Sequence, residues 1–422
     1  MSFEVPVRDT DPSSMDIQCL GDWDGDGVTD LLCTRRAYAA EQRGVVVRSV
    51  TDGRVLATLR IPEVDLKDSV GVLRACPAGD LDGDRRDDAL VVSRACTAGG
   101  DTLIVSAYGS SKTVPIWTRR SEIHGPSYPS TVQRVGDLDQ DGVPDFVIGT
   151  APESPQLRKR PTRETDPRAW IEARSGRDGH SLWSLVTSET LLTATELAPF
   201  VDVDGDEVPE VAVVNAYGEA WDKNYGIEDR PSFISLRSGK TGSAVGRIID
   251  TTGDRSFHSP TSFELCSAED VDGDGVSDLA VRSLLDREEA VVFSGRTRLP
   301  LARLTPHPDP AGRLDIWFPS AIAIASDLDG DGWRDMLLGH DEVGTEMGAD
   351  YGAIYVKSSR TNELLAAVWG TPEDYKLGMK IAWLGDTDHD GRPEFAAVTT
   401  GGIKVWSIEG VPASPAKGAG AK

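Results

Sequence analysis

Twenty-eight acidic side chains recur in seven groups of four, each spaced Asp-x-Asp-x-Asp-x-x-x-Asp/Glu and each running into a short apolar segment. The groups are Asp22, Asp24, Asp26 and Asp30; Asp80, Asp82, Asp84 and Asp88; Asp137, Asp139, Asp141 and Asp145; Asp202, Asp204, Asp206 and Glu210; Asp270, Asp272, Asp274 and Asp278; Asp327, Asp329, Asp331 and Asp335; Asp386, Asp388, Asp390 and Glu394. Carboxylates at loop positions 1, 3 and 5 can converge in a tight turn, with a backbone carbonyl at position 7 and the acid at position 9 completing an oxygen cage. Hard divalent cations prefer such ligands, and calcium takes about six to eight of them at about 2.3–2.6 Å in irregular geometry. Left without a cation, four crowded carboxylates would repel one another. For a single loop, Asp and Gly as plain turn formers would be reading enough. Seven copies at one spacing make a metal site the expectation. Up to seven Ca2+ ions are expected, in a structural role, because every loop has its own acids, none brings a His or Cys ligand, and no general base recurs nearby. A metal hydrolase would need an open coordination position and a second catalytic group.

Stepping from loop to loop, the first aspartates are separated by 58, 57, 65, 68, 57 and 59 residues, so a unit of roughly 60 residues nearly fills the chain. After each loop comes a run with the apolar, β-branched character of a buried strand: Leu31–Cys33, Ala89–Val92, Phe146–Ile148, Val211–Val214, Leu279–Val281, Met336–Leu338 and Phe395–Val398. Another apolar stretch stands before the loop, as in Val72–Ala75 and Met379–Leu384, so the acidic loop joins two strands of a hairpin. Every unit but the last then shows a second pair of runs around a polar turn, such as Thr51-Asp52-Gly53, Arg177-Asp178-Gly179 or Lys240-Thr241-Gly242. Four strands per unit and seven units predict an all-β, seven-bladed β-propeller of four-stranded antiparallel blades over residues 1–410, with 411–422 as a flexible tail or linker. The seventh unit lacks a fourth strand, and Phe3–Val7 is expected to supply it, with Pro6 tolerated on an outer edge. An EF-hand begins similarly but closes with an acid at position 12 between helices. Position 12 here is Cys33, Val91, Ile148, Val213, Val281, Leu338 or Ala397.

Composition agrees with this reading and excludes others. The formal net charge of −25 comes from 69 acidic and 44 basic side chains, and seven divalent cations would bring it to about −11. No basic patch of the kind nucleic-acid binding relies on is present. No apolar stretch approaches the roughly 18 residues needed to cross a bilayer, so no membrane insertion is expected. Residues 1–10 lack the charged and apolar regions of a secretory signal. Five cysteines (Cys19, Cys33, Cys76, Cys96, Cys266) leave an odd one. Cys19 and Cys33 flank the first acidic loop and could face each other across its hairpin as a disulfide, but small buried thiols in a sheet are the favoured reading.

The units resemble the FG-GAP repeats of integrin alpha-subunit propellers and the related VCBS repeats of bacterial secreted proteins. Leu377-Gly378 stands where that family has Phe-Gly, and Gly149-Thr150-Ala151-Pro152 is similar to its Gly-Ala-Pro, although these flanking motifs are degraded in most units. The resemblance implies a calcium-stabilised propeller with ions between strands 1 and 2 of its blades, acting as a monomeric interaction or adhesion module. It also implies an extracellular or cell-surface location, and a protein or glycan partner on the face opposite the acidic loops. That face would be built from Ile123–Ser130, Ala151–Arg168, Ala216–Ser232, Asp254–Thr261 and Thr305–Ser320, with Tyr128, Phe257, His258, Trp317, Phe318 and Tyr375 as aromatic anchors. The alternative is a catalytic propeller such as a polysaccharide lyase or hydrolase, for which no triad, phosphate loop or zinc motif is visible. Position 6 of the loop is Gly in five copies but Arg85 in the second and Glu207 in the fourth, which predicts weakest cation binding in the second loop and next weakest in the fourth.

Overall fold

The computed structural model describes residues 4–6, 14–35, 44–60, 70–97, 100–110, 112, 114–122, 127–152, 170–186, 192–217, 233–248, 263–283, 289–308, 318–343 and 351–408. These residues form seven four-stranded antiparallel sheets, the blades of a β-propeller, and no helix lies among them. Blade 1 runs β2 (Met15–Gly21), β3 (Asp30–Arg35), β4 (Gly44–Ser49) and β5 (Val55–Leu59). Blade 2 holds β6 (Val70–Gly79), β7 (Asp88–Thr97), β8 (Gly100–Tyr108) and β9 (Pro115–Glu122). Blade 3 holds β10 (Ser127–Gly136), β11 (Asp145–Pro152), β12 (Trp170–Arg174) and β13 (Ser181–Val186); blade 4 β14 (Leu192–Phe200), β15 (Glu210–Tyr217), β16 (Phe233–Arg237) and β17 (Ala244–Ile248); blade 5 β18 (Phe263–Ala268), β19 (Asp278–Ser283), β20 (Glu289–Phe293) and β21 (Pro300–Leu304); blade 6 β22 (Ala321–Ile324), β23 (Met336–His340), β24 (Ala353–Lys357) and β25 (Leu364–Trp369). Blade 7 is β26 (Ile381–Gly385), β27 (Glu394–Thr399) and β28 (Gly402–Ser407), whose outer neighbour is the N-terminal β1 (Glu4–Pro6). β1 is antiparallel to β28, with Glu4 opposite Lys404 and Pro6 opposite Gly402.

Strands in the middle of a blade are buried on both faces, which is why they read as unbroken apolar runs. Along β7, Ala89 and Val91 face the core shared with blade 1, whereas Leu90 and Val92 face the core shared with blade 3. The same alternation sends Phe146 and Ile148 of β11 toward blade 2 and Val147 toward blade 4. Seven such cores lie between neighbouring blades, including one that joins Met15, Ile17 and Leu31 of blade 1 to Ala396, Val398 and Val405 of blade 7. Each fully buried Val, Leu or Ile contributes roughly 1.5–3 kcal/mol. Cohesion therefore resides between blades as much as within them. Outer strands add directional links that apolar patterning does not show: Trp117 donates its indole N–H to the Gly176 carbonyl of the next blade at 2.9 Å, and Trp183 does the same to Gly239 at 2.5 Å.

The expected turns are present. Gly53, Gly179 and Gly242 have φ of 72, 77 and 71°, and each donates its N–H back to the serine at the end of the preceding strand. Leu377 is buried, and Gly378 follows it at φ 95°, where a Cβ would lie 2.4 Å from the Ala353 carbonyl oxygen and 2.6 Å from the His340 nitrogen. Only glycine fits that close approach.

One less favoured option and one expectation fall. Cys19 pairs in register with Leu31, and Cys33 with Ile17, so the two thiols do not face each other and both are free. Cys33 and Cys76 are buried thiols whose pKa burial pushes up to about 12. Phe318 is no surface anchor: it is fully buried in the core between blades 5 and 6. Tyr375 is 40% exposed, as an anchor requires. Phe257, His258, Trp317, the side chain of Tyr128, most of the proposed binding segments and the 411–422 tail lie outside the described residues.

Candidate metal centre

Each acidic loop joins the first and second strands of its blade, and one hydrogen-bond scheme recurs in all seven. The position 1 carboxylate accepts the position 6 N–H: Asp22 from Gly27, Asp80 from Arg85, Asp137 from Gly142, Asp202 from Glu207, Asp270 from Gly275, Asp327 from Gly332 and Asp386 from Gly391, at 2.7–3.1 Å. The position 5 carboxylate of Asp26, Asp84, Asp141, Asp206, Asp274, Asp331 or Asp390 accepts the N–H two residues on, at 2.8–3.0 Å. The position 9 acid reaches back to the position 2 N–H at 2.6–3.0 Å, for example Asp145 to Leu138 and Glu210 to Val203.

To point these amides inward the backbone turns left-handed twice. Position 6 has φ of 86–91° at its five glycines, and 70° and 68° at Arg85 and Glu207. Position 4 is the second such site, and a glycine in five of the seven loops is its sequence signal: it is Gly25, Gly83, Gly205, Gly273 or Gly330 there, and Gln140 (φ 60°) and His389 (φ 59°) in the others. His389 is exposed there, as its place in the loop predicts.

The carboxylates expected to converge do so with one change. In the loops of blades 1, 2, 3 and 5 the oxygens that lie within 4.8 Å of one another come from positions 1, 3 and 9, namely Asp22, Asp24, Asp30; Asp80, Asp82, Asp88; Asp137, Asp139, Asp145; and Asp270, Asp272, Asp278. Asp26, Asp84, Asp141 and Asp274 at position 5 are not part of these groups. In blade 4 the group is Asp202, Asp204 and Asp206, and Glu210 accepts the Val203 N–H with one oxygen and the Asp204 N–H with the other.

Burial separates position 9 from the rest. Asp30, Asp88, Asp145, Glu210, Asp278, Asp335 and Glu394 are at most 2% exposed. Burial, reinforced by neighbouring carboxylates, pushes Asp30 and Asp335 up to about 7 and Asp88 and Asp145 up to about 6, and raises Asp278 and Glu210. A buried anion with an elevated pKa among other anions is a group that a cation would stabilise.

Basic residues on the turn between strands 3 and 4 reach back to the loop of their own blade. Arg54 pairs with Asp24 at 2.6 Å, Lys112 with Asp82, Arg177 with Asp141, and Arg296 with Asp274 at 2.7 Å, while Arg360 donates to the Asp331 carbonyl at 3.0 Å. Arg177 and Arg296 hold Asp141 and Asp274 below the usual carboxylate range. Adjacent loops also touch, since the Arg334 N–H of blade 6 donates to the Val271 carbonyl of blade 5 at 2.8 Å. The recurring Ser-Gly-Arg/Lys of residues 175–177, 238–240 and 294–296 is the sequence signal that could have revealed these arms.

A calcium ion fits this donor set. The converging groups are carboxylate oxygens, which hard cations prefer. Several buried carboxylate oxygens, Asp30 Oδ1, Asp335 Oδ1 and Glu394 Oε1 among them, have no hydrogen-bond partner.

No family model matches the chain, and no curated protein matches it. Solved structures do. A chain in the crystal structure of BBS1N in complex with ARL6DN, soaked with mercury, is similar at a TM-score of 0.55 and 11% identity, over 98% of both chains. The same complex soaked with lead gives 0.54 and 10%, again over 98% of both. The likeness concerns the fold: a β-propeller running the length of the chain.

Proposed function

We propose that this chain is a calcium-stabilised β-propeller that binds a protein partner on the face opposite its acidic loops. The observation that carries the metal half is the buried ninth-position carboxylate, set among other acids and in several blades short of a hydrogen-bond donor. When bound, calcium would supply charge neutralisation and a rigid link between strands 1 and 2. Positions 1, 3 and 9 would hold it in blades 1, 2, 3 and 5, with the acids of the other loops in the same role. Metal held this way has structural work: it offsets carboxylate repulsion and pins each hairpin. The N-terminal β1, paired on β28, would fasten the ring in the same spirit.

The partner half follows from strand order. Antiparallel blades put the acidic loops and the strand 3–4 turns on one face, and the strand 2–3 and blade-to-blade connections on the other. Support for a protein ligand comes from the similar propeller BBS1N, solved in complex with ARL6DN. An adhesive role outside the cell, as in FG-GAP and VCBS proteins, is the setting the sequence resemblance favours.

Thermal unfolding of the whole chain tests the metal half. Chelation should lower the melting temperature and added calcium restore it, because folded loops bind and the unfolded chain does not. An unchanged melting temperature would sink the reading. For the partner half, a protein-interaction screen and a glycan array run in calcium should give protein binding that Tyr375→Ala weakens and that Arg177→Gln, on the loop face, leaves alone. Glycan binding alone would overturn the choice of partner class.

A further inference from the structure

Seven loops of one pattern do not share one internal balance of donors and charge. In blades 2, 3 and 5 the second oxygen of the ninth-position acid accepts an N–H from the strand 3–4 turn: Asp88 from Ser110 at 2.8 Å, Asp145 from Gly176 at 2.8 Å and Asp278 from Gly295 at 2.9 Å. A basic side chain from that same turn, Lys112, Arg177 or Arg296, then pairs with an acid of the loop. Here the polypeptide supplies both the donor and the counter-charge. Blade 4 satisfies Glu210 through the two loop amides already described.

Blades 1, 6 and 7 differ. Asp30 Oδ1, Asp335 Oδ1 and Glu394 Oε1 are buried and have no donor, and Asp331 Oδ2 and Asp386 Oδ1 add two further open oxygens to the loops of blades 6 and 7. Ser359 does not supply the missing link in blade 6, because its hydroxyl donates to the Arg334 carbonyl, and Arg360 reaches a carbonyl rather than a carboxylate. Blade 7 has no equivalent arm in sequence, since the first Lys or Arg after Ser407 is Lys417. Blade 1 is intermediate: Arg54 pairs with Asp24, yet Asp30 keeps its open oxygen. A buried carboxylate oxygen without a donor bears the full cost of desolvation, and a cation is the species that would repay it. The three blades are neighbours in the ring, joined by the cores between 6 and 7 and between 7 and 1.

We propose that tight divalent-cation binding is confined to the arc of loops in blades 6, 7 and 1, where a buried ninth-position oxygen lacks a donor, and that in blades 2, 3 and 5 the turn amide on that oxygen and the nearby charge of Lys112, Arg177 or Arg296 balance the loop without a metal. This rests on the calcium reading above and narrows it from seven sites to three.

Equilibrium dialysis of the full chain against limiting calcium tests it by stoichiometry. Three tight ions are expected. Glu394→Gln should leave two, and the double variant Arg177→Gln, Arg296→Gln, whose wild-type guanidinium groups are 59% and 57% exposed, should add two sites and bring the count to five. Terbium gives an independent readout, because Trp23 and Trp333 stand within the loops of blades 1 and 6, and Trp23→Phe with Trp333→Phe separates their emission from that of Trp117 and Trp183, whose indoles reach the turns beside the loops of blades 3 and 4. Tryptophan-sensitised emission should rise with the first ions bound. Seven equivalent ions, a double variant with unchanged stoichiometry, or terbium saturation without sensitised emission would overturn the division of the loops. No calcium bound at any site would instead overturn the calcium reading itself.

Discussion

Asp141 and Asp145 lie four residues apart in one loop and belong to one motif, yet the fold gives them opposite surroundings. Asp145 is fully buried and takes N–H groups from Leu138, Asp139 and Gly176, so it ties its own loop to the turn between strands 3 and 4. Asp141 is partly exposed, caps one local amide and is held by Arg177. Burial raises the pKa of the first to about 6, and the guanidinium lowers that of the second. A row of identical acids thus contains two kinds of group: outer carboxylates that shape the turn, and an inner one on which the blade is assembled.

The largest effect should come from the inner acid. Asp145→Ala strands two buried N–H donors and one at the loop, at a cost of roughly 3–5 kcal/mol, whereas Asp141→Ala should cost about 1 kcal/mol or less. Chemical denaturation of both variants in chelator checks this, and equal losses would erase the distinction. Both acids were legible in the sequence as members of a repeat. What the spacing could not show was depth, because burial of position 9 depends on β11 starting at that residue and on the next hairpin folding over it.

Desolvation can be separated from charge repulsion with a buried cation whose shift comes from burial alone. Lys357 on β24 is 2% exposed, donates to the Thr305 carbonyl at 2.7 Å, and is lowered by burial alone to about 8. Its folded pKa lies below the unfolded value of 10.5, so the penalty is fully present below pH 8 and is lost as pH rises toward 10.5. A shift of this size corresponds to about 3 kcal/mol, less roughly 1 kcal/mol for the hydrogen bond. Lys357→Met should therefore stabilise the fold by about 2 kcal/mol at pH 7, and the advantage over wild type should vanish near pH 10.5. Comparing the two proteins at each pH cancels the opposing titration of Cys33 and Cys76. A constant difference across the range would show that packing, not charge burial, sets the cost.

Smaller effects should follow backbone geometry. Arg85 and Glu207 occupy the left-handed position that five loops give to glycine, with φ of 70° and 68°. Arg85→Gly and Glu207→Gly should each stabilise by about 0.5–1 kcal/mol in denaturant melts, with Gln140→Gly and His389→Gly similar. The glycine periodicity made position 6 readable from sequence. Position 4 carries glycine in just as many loops, so the same signal stood in the sequence there and only the φ values show that it marks a second left-handed turn. The blade count and hairpin order were legible because each strand keeps its own apolar run. The aromatic anchors were less so: Phe318 reads like any loop aromatic until the core between blades 5 and 6 closes around it. The basic arms were hidden for a related reason, since Arg177 stands 36 residues from the acid it meets.

The smallest change in stability should accompany a large change in metal affinity. Arg177 is 59% exposed and its pair with Asp141 is solvent-screened, so Arg177→Gln should cost no more than about 0.5 kcal/mol in chelator. Removing the arm leaves the scaffold of amides around Asp137 and Asp145 intact and frees both Asp141 oxygens that the guanidinium had engaged, the carboxylate and the carbonyl. Stability in saturating calcium should then exceed wild type, because an added ion stabilises by about 2.7 kcal/mol at a hundredfold excess over its Kd. Melting curves of the variant in chelator and in calcium separate the two contributions. A loss that is the same in both conditions would mean that Arg177 serves the turn and not the charge balance of the loop.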